Sequence, residues 1–167
     1  MDLLLSLGSN IGDRKQNLLD AIGLIGKSGI IEPVHCSSIY ETRAVDYLDQ
    51  PDFLNLVLCC ETDALPETCL KTALNIEATM GRKRSIAKGP RIIDIDLLTM
   101  AESRINSADL TIPHPAMLAR AFVLVPLEEL FPQRKWNGKT ASQWLEQIGR
   151  EGVTIAYPTL DPATLII

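Results

Sequence analysis

The sequence predicts an α+β fold in which an antiparallel sheet carries helices on one face. Apolar runs of strand length recur along the chain, at residues 3–8, 31–41, 53–62 and 92–98. Segments with helical spacing of apolar residues separate the first strand from the second, and the third from the fourth. No linker or repeat interrupts this pattern, so residues 1–167 are expected to form a single domain. The order βαββαβ, with C-terminal additions, is that of a ferredoxin-like sandwich.

The first strand, LLLSLG, ends at a Gly-Ser-Asn turn that we interpret as structural. Asp13 begins the first helix, and Gln16 three positions later resembles the second half of a capping box. Apolar residues follow at helical spacing, at Leu18, Ala21, Ile22 and Ile25. Gly26 and Gly29 are expected to close the helix.

A second strand is predicted for 31–41, a loop for 43–52 and a third strand for 53–62. Pro66 then opens a second helix at a position that proline tolerates. The apolar side of this helix is predicted to run through Leu70, Ala73, Leu74 and Met80. Glu77 falls on the same stripe, so it lies either at the margin of the stripe or inside it.

After a basic loop, the fourth strand is IIDIDLL at 92–98. Residues Ile105 to Ile112 are predicted to form a hairpin around the turn Asn106–Asp109. Residues 113–130 are predicted to hold two short helices, and 142–148 one further helix.

The charge of the chain is unevenly distributed. The net charge of −5 argues against bulk nucleic-acid binding, so no nucleic-acid partner is expected. Segment 81–91 nevertheless carries five basic residues and no acidic one, which leaves the rest of the chain near −10. We therefore expect an anionic partner to bind at this segment.

Neither a membrane segment nor a secretory signal is predicted. No apolar run approaches the length that crosses a bilayer, and MDLLLSLGSN lacks a basic region. A cytoplasmic protein is therefore expected. We further expect it to act as a monomer, an expectation that no single sequence feature carries. The four cysteines form no C-x-x-C pair, and there are only two histidines, so reduced thiols are favoured over a zinc site.

Two carboxylates interrupt the fourth strand. Side chains alternate along a strand, so Asp94 and Asp96 share one face while Ile93, Ile95 and Leu97 pack on the other. Like charges this close raise each other's pKa unless something positive lies between them. On charge alone, a solvated face or ion pairs with Arg82 or Arg91 explain the pattern about as well as a metal site does.

The basic segment beside the pair shifts the balance towards a phosphate site. Mg²⁺ is typically held by one or two carboxylates plus substrate phosphates, and arginine grips phosphate oxygens at two points. This equipment suits phosphoryl or pyrophosphoryl transfer. A D-x-D pair alone is weak evidence for this chemistry, because sugar-nucleotide transferases and two-metal nucleases also use such a pair. The chain has no G-x-x-x-x-G-K-[ST] loop, which argues against a Walker-type ATPase.

Two rival functions belong to other classes. A D-x-D nuclease or nucleotidyltransferase needs an extended basic surface, which the acidic remainder of the chain does not offer. A ferredoxin-like RNA-binding module stacks bases on exposed aromatic residues, and only 5% of this chain is aromatic.

Several stretches together resemble a known family. They are LGSNIGD (7–13), SSIYET (37–42), QPDFLN (50–55), IEATMGRKR (76–84), GPRIIDIDLL (89–98) and IPHPAMLARAFVLVPL (112–127). In this order and spacing, they resemble 6-hydroxymethyl-7,8-dihydropterin pyrophosphokinase of folate biosynthesis, over residues 3–131. The resemblance implies a ferredoxin-like α+β fold. It also implies transfer of a pyrophosphoryl group from ATP to the pterin's hydroxymethyl oxygen, which gives AMP.

The resemblance also implies roles for single residues. Asp94 and Asp96 would hold two Mg²⁺ ions, and Arg82 and Arg91 would be the transfer arginines on a mobile loop. The residues implied to bind ATP are Glu77, Arg84, Thr111, His114 and Arg120. Those implied to bind the pterin are Thr42, Ala44, Val45, Phe53, Asn55 and Phe122.

Several of these residues have a plainer explanation. Asn55 could be a turn former, Phe122 a core residue and Arg120 a surface charge, while His114 between two prolines could cap a loop. One position also departs from the family, whose members often carry a tryptophan before Gly-Pro-Arg. Lys88 stands there in this chain, so the loop lacks an aromatic lid, although the residues expected to do the chemistry remain.

Overall fold

The computed structural model describes residues 1–43, 49–82 and 89–159. Six antiparallel strands form the main sheet: β1 (Asp2–Ser9), β2 (Glu32–Cys36), β3 (Ile39–Thr42), β4 (Phe53–Glu61), β5 (Asp94–Met100) and β10 (Val153–Tyr157). Their order is β10-β3-β4-β1-β5, and β2 also pairs with β4. The predicted α+β class is confirmed, and so is the βαββαβ order of the first half, except that its second strand is divided into β2 and β3.

Four α-helices accompany the sheet: α1 (Arg14–Lys27), α2 (Pro66–Thr79), α3 (Ala121–Leu130) and α4 (Ala141–Ile148). A 3₁₀ helix, Met117–Ala119, precedes α3, which confirms two helical pieces in 113–130. Two small hairpins complete the described fold: β6 (Ile105–Asn106) with β7 (Thr111–Ile112), and β8 (Lys135–Trp136) with β9 (Lys139–Thr140). The first hairpin was predicted; the second, and β10, were not.

The helices cover both faces of the sheet, so the expectation of helices on one face is wrong. Leu3, Leu5 and Leu7 of β1 pack into a core with α1 and α2. Leu4 lies on the opposite face, in a second core that includes Val57 and residues of α3 and α4. Strand residues are apolar on both faces because both faces are covered.

The strand predicted for 31–41 is broken into two. The Ser38 backbone N–H donates to the two carboxylate oxygens of Glu129, at 3.1 and 2.9 Å, instead of to a neighbouring strand. Ser37 still pairs with Val57, through the bond from Ser37 N to Val57 O of 2.9 Å. The ladder is therefore interrupted at Ser38, and β3 begins at Ile39.

Both helix predictions needed small corrections. Gly26 lies inside α1, and only Gly29, at φ +66°, takes the left-handed conformation beyond its end. Asp13 accepts from the Gln16 backbone N–H, but the Gln16 side chain donates to Asp20, so the capping box is half formed. The buried stripe of α2 is Cys69, Ala73, Ile76 and Glu77. Leu70 and Met80 lie at its margin, and Leu74 is exposed.

Within the described residues, no helix has both the length and the apolar character needed to span a membrane.

Replacing Leu4 or Leu5 by alanine tests the two-sided core, because the two side chains are fully buried on opposite faces of β1. Each variant is expected to lose about 2–5 kcal/mol of unfolding free energy, measured by urea denaturation. Leu65, which is 68% exposed, provides the control: Leu65→Ala should change stability by only about 0.5 kcal/mol. A control-sized effect at either core position would contradict the two-sided arrangement.

Candidate active site

Asp94 and Asp96 lie between two depressions and line both of them. The first, here called the aromatic pocket, is lined also by Gly8, Thr42, Phe53, Asn55, Arg91, Arg120 and Phe122. The second is an open cleft of about 1050 Å³, lined also by Glu77, Arg82, Thr111 and His114. The two carboxylates therefore stand where the contents of the pocket and of the cleft would meet.

The Asp94 carboxylate is neutralised by two arginines, one from each end of the basic segment 81–91. Arg82 Nη1 lies 2.6 Å from Asp94 Oδ1, and Arg91 Nη2 lies 2.8 Å from Asp94 Oδ2. The ion pairs considered from the sequence are thus present. They bring both ends of the segment to the same carboxylate of β5.

Glu77 lies inside the core side of α2 and not at its margin, with 3% of the residue exposed. Its Oε1 accepts the Ile95 backbone N–H at 2.8 Å and also pairs with Arg82. A buried carboxylate needs such partners because desolvation would otherwise penalise its charge. Glu77 therefore joins α2 to β5 and holds Arg82 at the edge of the cleft.

Among the described residues, Asp96 pairs with one arginine where Asp94 pairs with two. The Arg120 Nη1 atom lies 3.4 Å from Asp96 Oδ2. Burial raises the pKa of the Asp96 carboxyl, and the negative charge of Asp94 raises it further. Arg120 pairs with a site carboxylate, so it is not the plain surface charge considered from the sequence.

His114 borders the same carboxylate. Burial lowers the pKa of its imidazole, against the opposing effect of Asp96. Nδ1 accepts the Ala116 backbone N–H at 3.1 Å, and the His114 backbone N–H donates to Leu98 O at 2.8 Å. His114 therefore caps its loop, as one interpretation of the sequence had it, and also lines the cleft.

In the aromatic pocket, Asn55 lies within β4 and is buried, so the turn-former interpretation is wrong. Its Nδ2 donates to Thr42 Oγ1 at 2.6 Å. Gly8 is opposite Asn55 in the β1–β4 register, and a Cβ on Gly8 would lie 2.6 Å from Asn55 Oδ1. Glycine at position 8 thus leaves room for the Asn55 amide.

Two aromatic rings of the pocket carry arginine guanidinium groups. Arg91 lies 4.9 Å from the centroid of the Phe53 ring, and Arg120 lies 5.5 Å from that of Phe122. Phe122 packs against the second core and is only half-buried, so it is not simply a core residue. Both rings are placed beside a cation, which favours a flat, electron-rich or anionic ligand.

Asn10 is a site-positioning residue that the sequence analysis assigned to a structural turn. It is 2% exposed, and its Oδ1 accepts the Arg91 backbone N–H at 2.7 Å. Its Nδ2 donates to Gln50 Oε1 at 3.0 Å and to Pro51 O at 3.1 Å. Asn10 therefore joins the loop at Gln50 and Pro51, here called the pocket loop, to Arg91 of the basic segment. The only signal for this in the sequence was a polar residue that follows an apolar strand.

Four residues named in the sequence analysis lie outside the described residues: Ala44, Val45, Arg84 and Lys88, the last being the position that differs from the family. The other residues proposed from the sequence gather at the aromatic pocket, at the cleft or at the carboxylates between them.

Comparison with known proteins identifies the same family throughout. The family model described as 7,8-dihydro-6-hydroxymethylpterin-pyrophosphokinase matches residues 4–132. A Bacillus subtilis protein named 2-amino-4-hydroxy-6-hydroxymethyldihydropteridine pyrophosphokinase is 37% identical over 151 residues, covering 90% of this chain and 87% of the relative. A Synechocystis protein of the same name is 39% identical over 162 residues, covering 95% and 82%.

The fold is shared with a crystal structure of wild-type Plasmodium falciparum HPPK-DHPS, at a TM-score of 0.66 and 16% identity. The match covers 92% of this chain but 47% of the Plasmodium chain, so this chain spans about half of that protein.

The pKa of Asp96 provides a test of the site's electrostatics. We expect its side-chain carboxyl, followed by ¹³C NMR, to titrate above its ordinary value of 3.8. Asp94→Asn should lower this pKa, because the second cause of the rise is removed and the arginines of Asp94 are released. Asp63→Asn, at an exposed position, is the control and should leave it unchanged. An Asp96 pKa that ignores Asp94→Asn would contradict the coupling.

Proposed function

Because the chain belongs to the 7,8-dihydro-6-hydroxymethylpterin-pyrophosphokinase family, we infer that it transfers a pyrophosphoryl group from ATP to the hydroxymethyl group of 6-hydroxymethyl-7,8-dihydropterin. The products are AMP and the pterin diphosphate, and the reaction is a step of tetrahydrofolate biosynthesis. The observation that carries this conclusion for the site is the position of Asp94 and Asp96 between the aromatic pocket and the cleft. This arrangement suits two substrates that must react across a pair of carboxylates.

We propose that the pterin occupies the aromatic pocket. Its flat ring would lie between Phe53 and Phe122, and its polar edge would meet the Asn55 amide. The Asn55 amide donates through Nδ2 to Thr42 Oγ1, and its Oδ1 lies beside Gly8, where a side chain would clash with it. We assign Oδ1 to accept a hydrogen bond from the pterin ring. The main chain from Thr42 through Ala44 and Val45 would complete the recognition of that edge.

ATP would occupy the cleft, with its phosphates at the aspartates. Thr111 and His114 line the cleft, and we assign them, with Arg84 and Arg120, to ATP binding. Glu77, which the resemblance grouped with these residues, is buried and bonded to Ile95 and Arg82. Its proposed contribution is therefore to position Arg82 beside the phosphates.

The residues present fit magnesium. Asp94 and Asp96 offer hard oxygen ligands on one face of β5, with 20% and 33% of their side chains exposed. Among residues 1–43, 49–82 and 89–159, no three His, Cys, Asp or Glu side chains converge on a metal position, so phosphate and water oxygens would supply the other ligands. We propose that the two aspartates hold two Mg²⁺ ions, which when bound neutralise the charge of the phosphates.

Arg82 and Arg91 are the proposed transfer arginines. Both now contact Asp94, so they would exchange this carboxylate for phosphate oxygens when the substrates bind. Their fixed positive charge would then stabilise the pyrophosphoryl group in transit. Asn10 bonds to the backbone of Arg91, and Glu77 pairs with the side chain of Arg82. Both arginines are therefore held beside the aspartates before the substrates bind.

Asp96 is the candidate acceptor for the hydroxyl proton. Its carboxylate lines both the aromatic pocket and the cleft, which places it between the proposed pterin and ATP positions. The pterin hydroxyl would attack the β-phosphorus, and AMP would leave on the side of the cleft. Positioning and charge neutralisation would supply most of the catalysis.

Four expectations from the sequence stay predictions: action as a monomer, a cytoplasmic location, no nucleic-acid partner, and one pyrophosphokinase domain over residues 1–167.

A product assay tests the reaction and its carboxylates. Protein, MgCl₂, ATP and the pterin are incubated, and the nucleotides are separated by chromatography. AMP is expected only when the pterin is present, and Asp94→Asn or Asp96→Asn should slow its formation by at least about 100-fold. Glu128→Gln is the control, since Glu128 forms an exposed pair with Arg150 and should not affect the rate.

Pterin-dependent ADP would contradict pyrophosphoryl transfer, as would a lack of product from folded protein that binds MgATP. Full activity in either aspartate variant would contradict the proposed role of the pair.

Gly8→Ala tests the pterin position. The new methyl group must displace the buried Asn55 amide, so pterin binding should weaken about tenfold, equivalent to one lost hydrogen bond. Calorimetric titration with the pterin, in the presence of a non-hydrolysable MgATP analogue, measures the change. In an Asn55→Ala background the same substitution should add little, because the displaced group is gone. Equal effects of Gly8→Ala in the two backgrounds would contradict the assignment of Asn55.

A further inference from the structure

A separate depression of about 300 Å³ lies beyond His114, on the other side from the cleft. It is formed by the end of β5, the turn that follows it and the β8–β9 hairpin. The residues that define it, here called the basic pocket, are Thr99, Glu102, Arg104, Arg134, Lys135 and Trp136. His114 and Pro115 line both this pocket and the cleft. None of the six defining residues lines the aromatic pocket or the cleft.

The charge of the basic pocket is not balanced by its own acidic groups. Arg104, Arg134 and Lys135 face a single acidic residue, Glu102. In the part of the chain that the structure describes, none of the three cations forms an ion pair with a carboxylate. Three cations against one carboxylate favour an anionic ligand.

One of these cations is held in place by aromatic rings, with no carboxylate of the described residues paired to it. The Arg134 guanidinium lies 5.4 Å from the ring centroid of Phe131 and 5.8 Å from that of Trp136. The two rings meet edge to face, with centroids 6.4 Å apart, which fixes the wall beneath the guanidinium. Aromatic contacts orient an arginine but leave its N–H donors free for an anion.

Two buried polar atoms belong to the same pocket residues. Thr99 Oγ1 and Trp136 Nε1 are inaccessible to water, and neither has a hydrogen-bond partner among the described residues. The residues are only 6% and 7% exposed. An indole N–H can only donate, so Trp136 requires an acceptor that the described protein does not supply. Buried groups of this kind are rare in native proteins and point to a bound ion, ligand or water.

We propose that the basic pocket binds an oxyanion, the phosphate or carboxylate group of a small molecule. Arg104, Arg134 and Lys135 supply the positive charge. The Trp136 indole N–H donates to an oxygen of the anion, after a small opening of the pocket wall. The inference does not depend on the proposed reaction, since it uses none of the substrate-binding residues other than the shared border at His114 and Pro115.

The indole signals of the two tryptophans test this proposal directly. In a ¹H–¹⁵N NMR spectrum of the full chain, Trp136→Phe identifies the Trp136 signal by its loss. Trp144, whose Nε1 already donates to Trp136 O at 2.9 Å, supplies the internal reference. Inorganic phosphate and acetate are titrated separately at constant ionic strength, with chloride as the balancing ion. A saturable shift of the Trp136 signal is expected with at least one of the two oxyanions.

Charge-removing variants locate the binding. Arg134→Ala should weaken the oxyanion about tenfold, as expected for a lost charge-assisted hydrogen bond. Lys139→Ala is the matched control: Lys139 lies over the Trp144 ring at 4.8 Å and does not line the pocket. It should leave the affinity unchanged. Arg104→Ala, at an exposed position, replaces Arg134→Ala if that variant unfolds.

Two results would overturn the proposal. A Trp136 signal that does not shift saturably with either oxyanion would mean that the pocket holds water only. A saturable shift that both arginine variants leave unchanged would mean that the anion binds elsewhere, such as at the active site. Neither result would alter pterin-dependent AMP formation, so failure here is distinguishable from failure of the proposed reaction.

Discussion

Asp94 and Asp96 share one face of β5, and the repulsion between their carboxylates constrains the whole site. In the described part of the chain, three arginines offset it: Arg82 and Arg91 at Asp94, and Arg120 at Asp96. Each comes from a different part of the chain, namely the end of α2, the approach to β5 and the residue before α3. Pairing with the two carboxylates of β5 therefore brings these three segments together. Phosphate oxygens are partners of the same kind for arginine as carboxylate oxygens.

The position of the site follows from how the helices cover the two faces of the sheet. On the face that carries the aspartates, α3 and α4 pack over Leu4 and Val57 at one end of the strands. At the other end the same face is open, and there Gly8, Asn55 and Asp96 line the aromatic pocket. One sheet face thus serves as core over part of its length and as a wall of the aromatic pocket over the rest. The aromatic ring of Phe122, at the start of α3, lies at the boundary.

Buried polar side chains connect the segments around the site. Glu77 joins α2 to the backbone of β5, Asn10 joins the pocket loop to Arg91, and Asn55 bonds to Thr42 on the neighbouring strand. Because an unpaired buried polar group is costly, each bond favours one relative placement of the segments it links. These contacts position Arg82, Arg91 and the Asn55 amide at the site.

The sequence by itself determined the α+β class and, apart from the division of strand 31–41, the order of strands and helices through β5. It also determined the set of charged residues that gather at β5, because periodicity and local charge are properties of neighbouring residues. It also carried the family, through motifs spread over the chain. The split of strand 31–41 at Ser38, the second helical layer and the role of Asn10 depended on tertiary structure. Ser38 bonds to Glu129, 91 positions away, and Asn10 to Arg91, 81 positions away. Nothing in the local pattern specifies such partners, since they are set only when distant segments pack together.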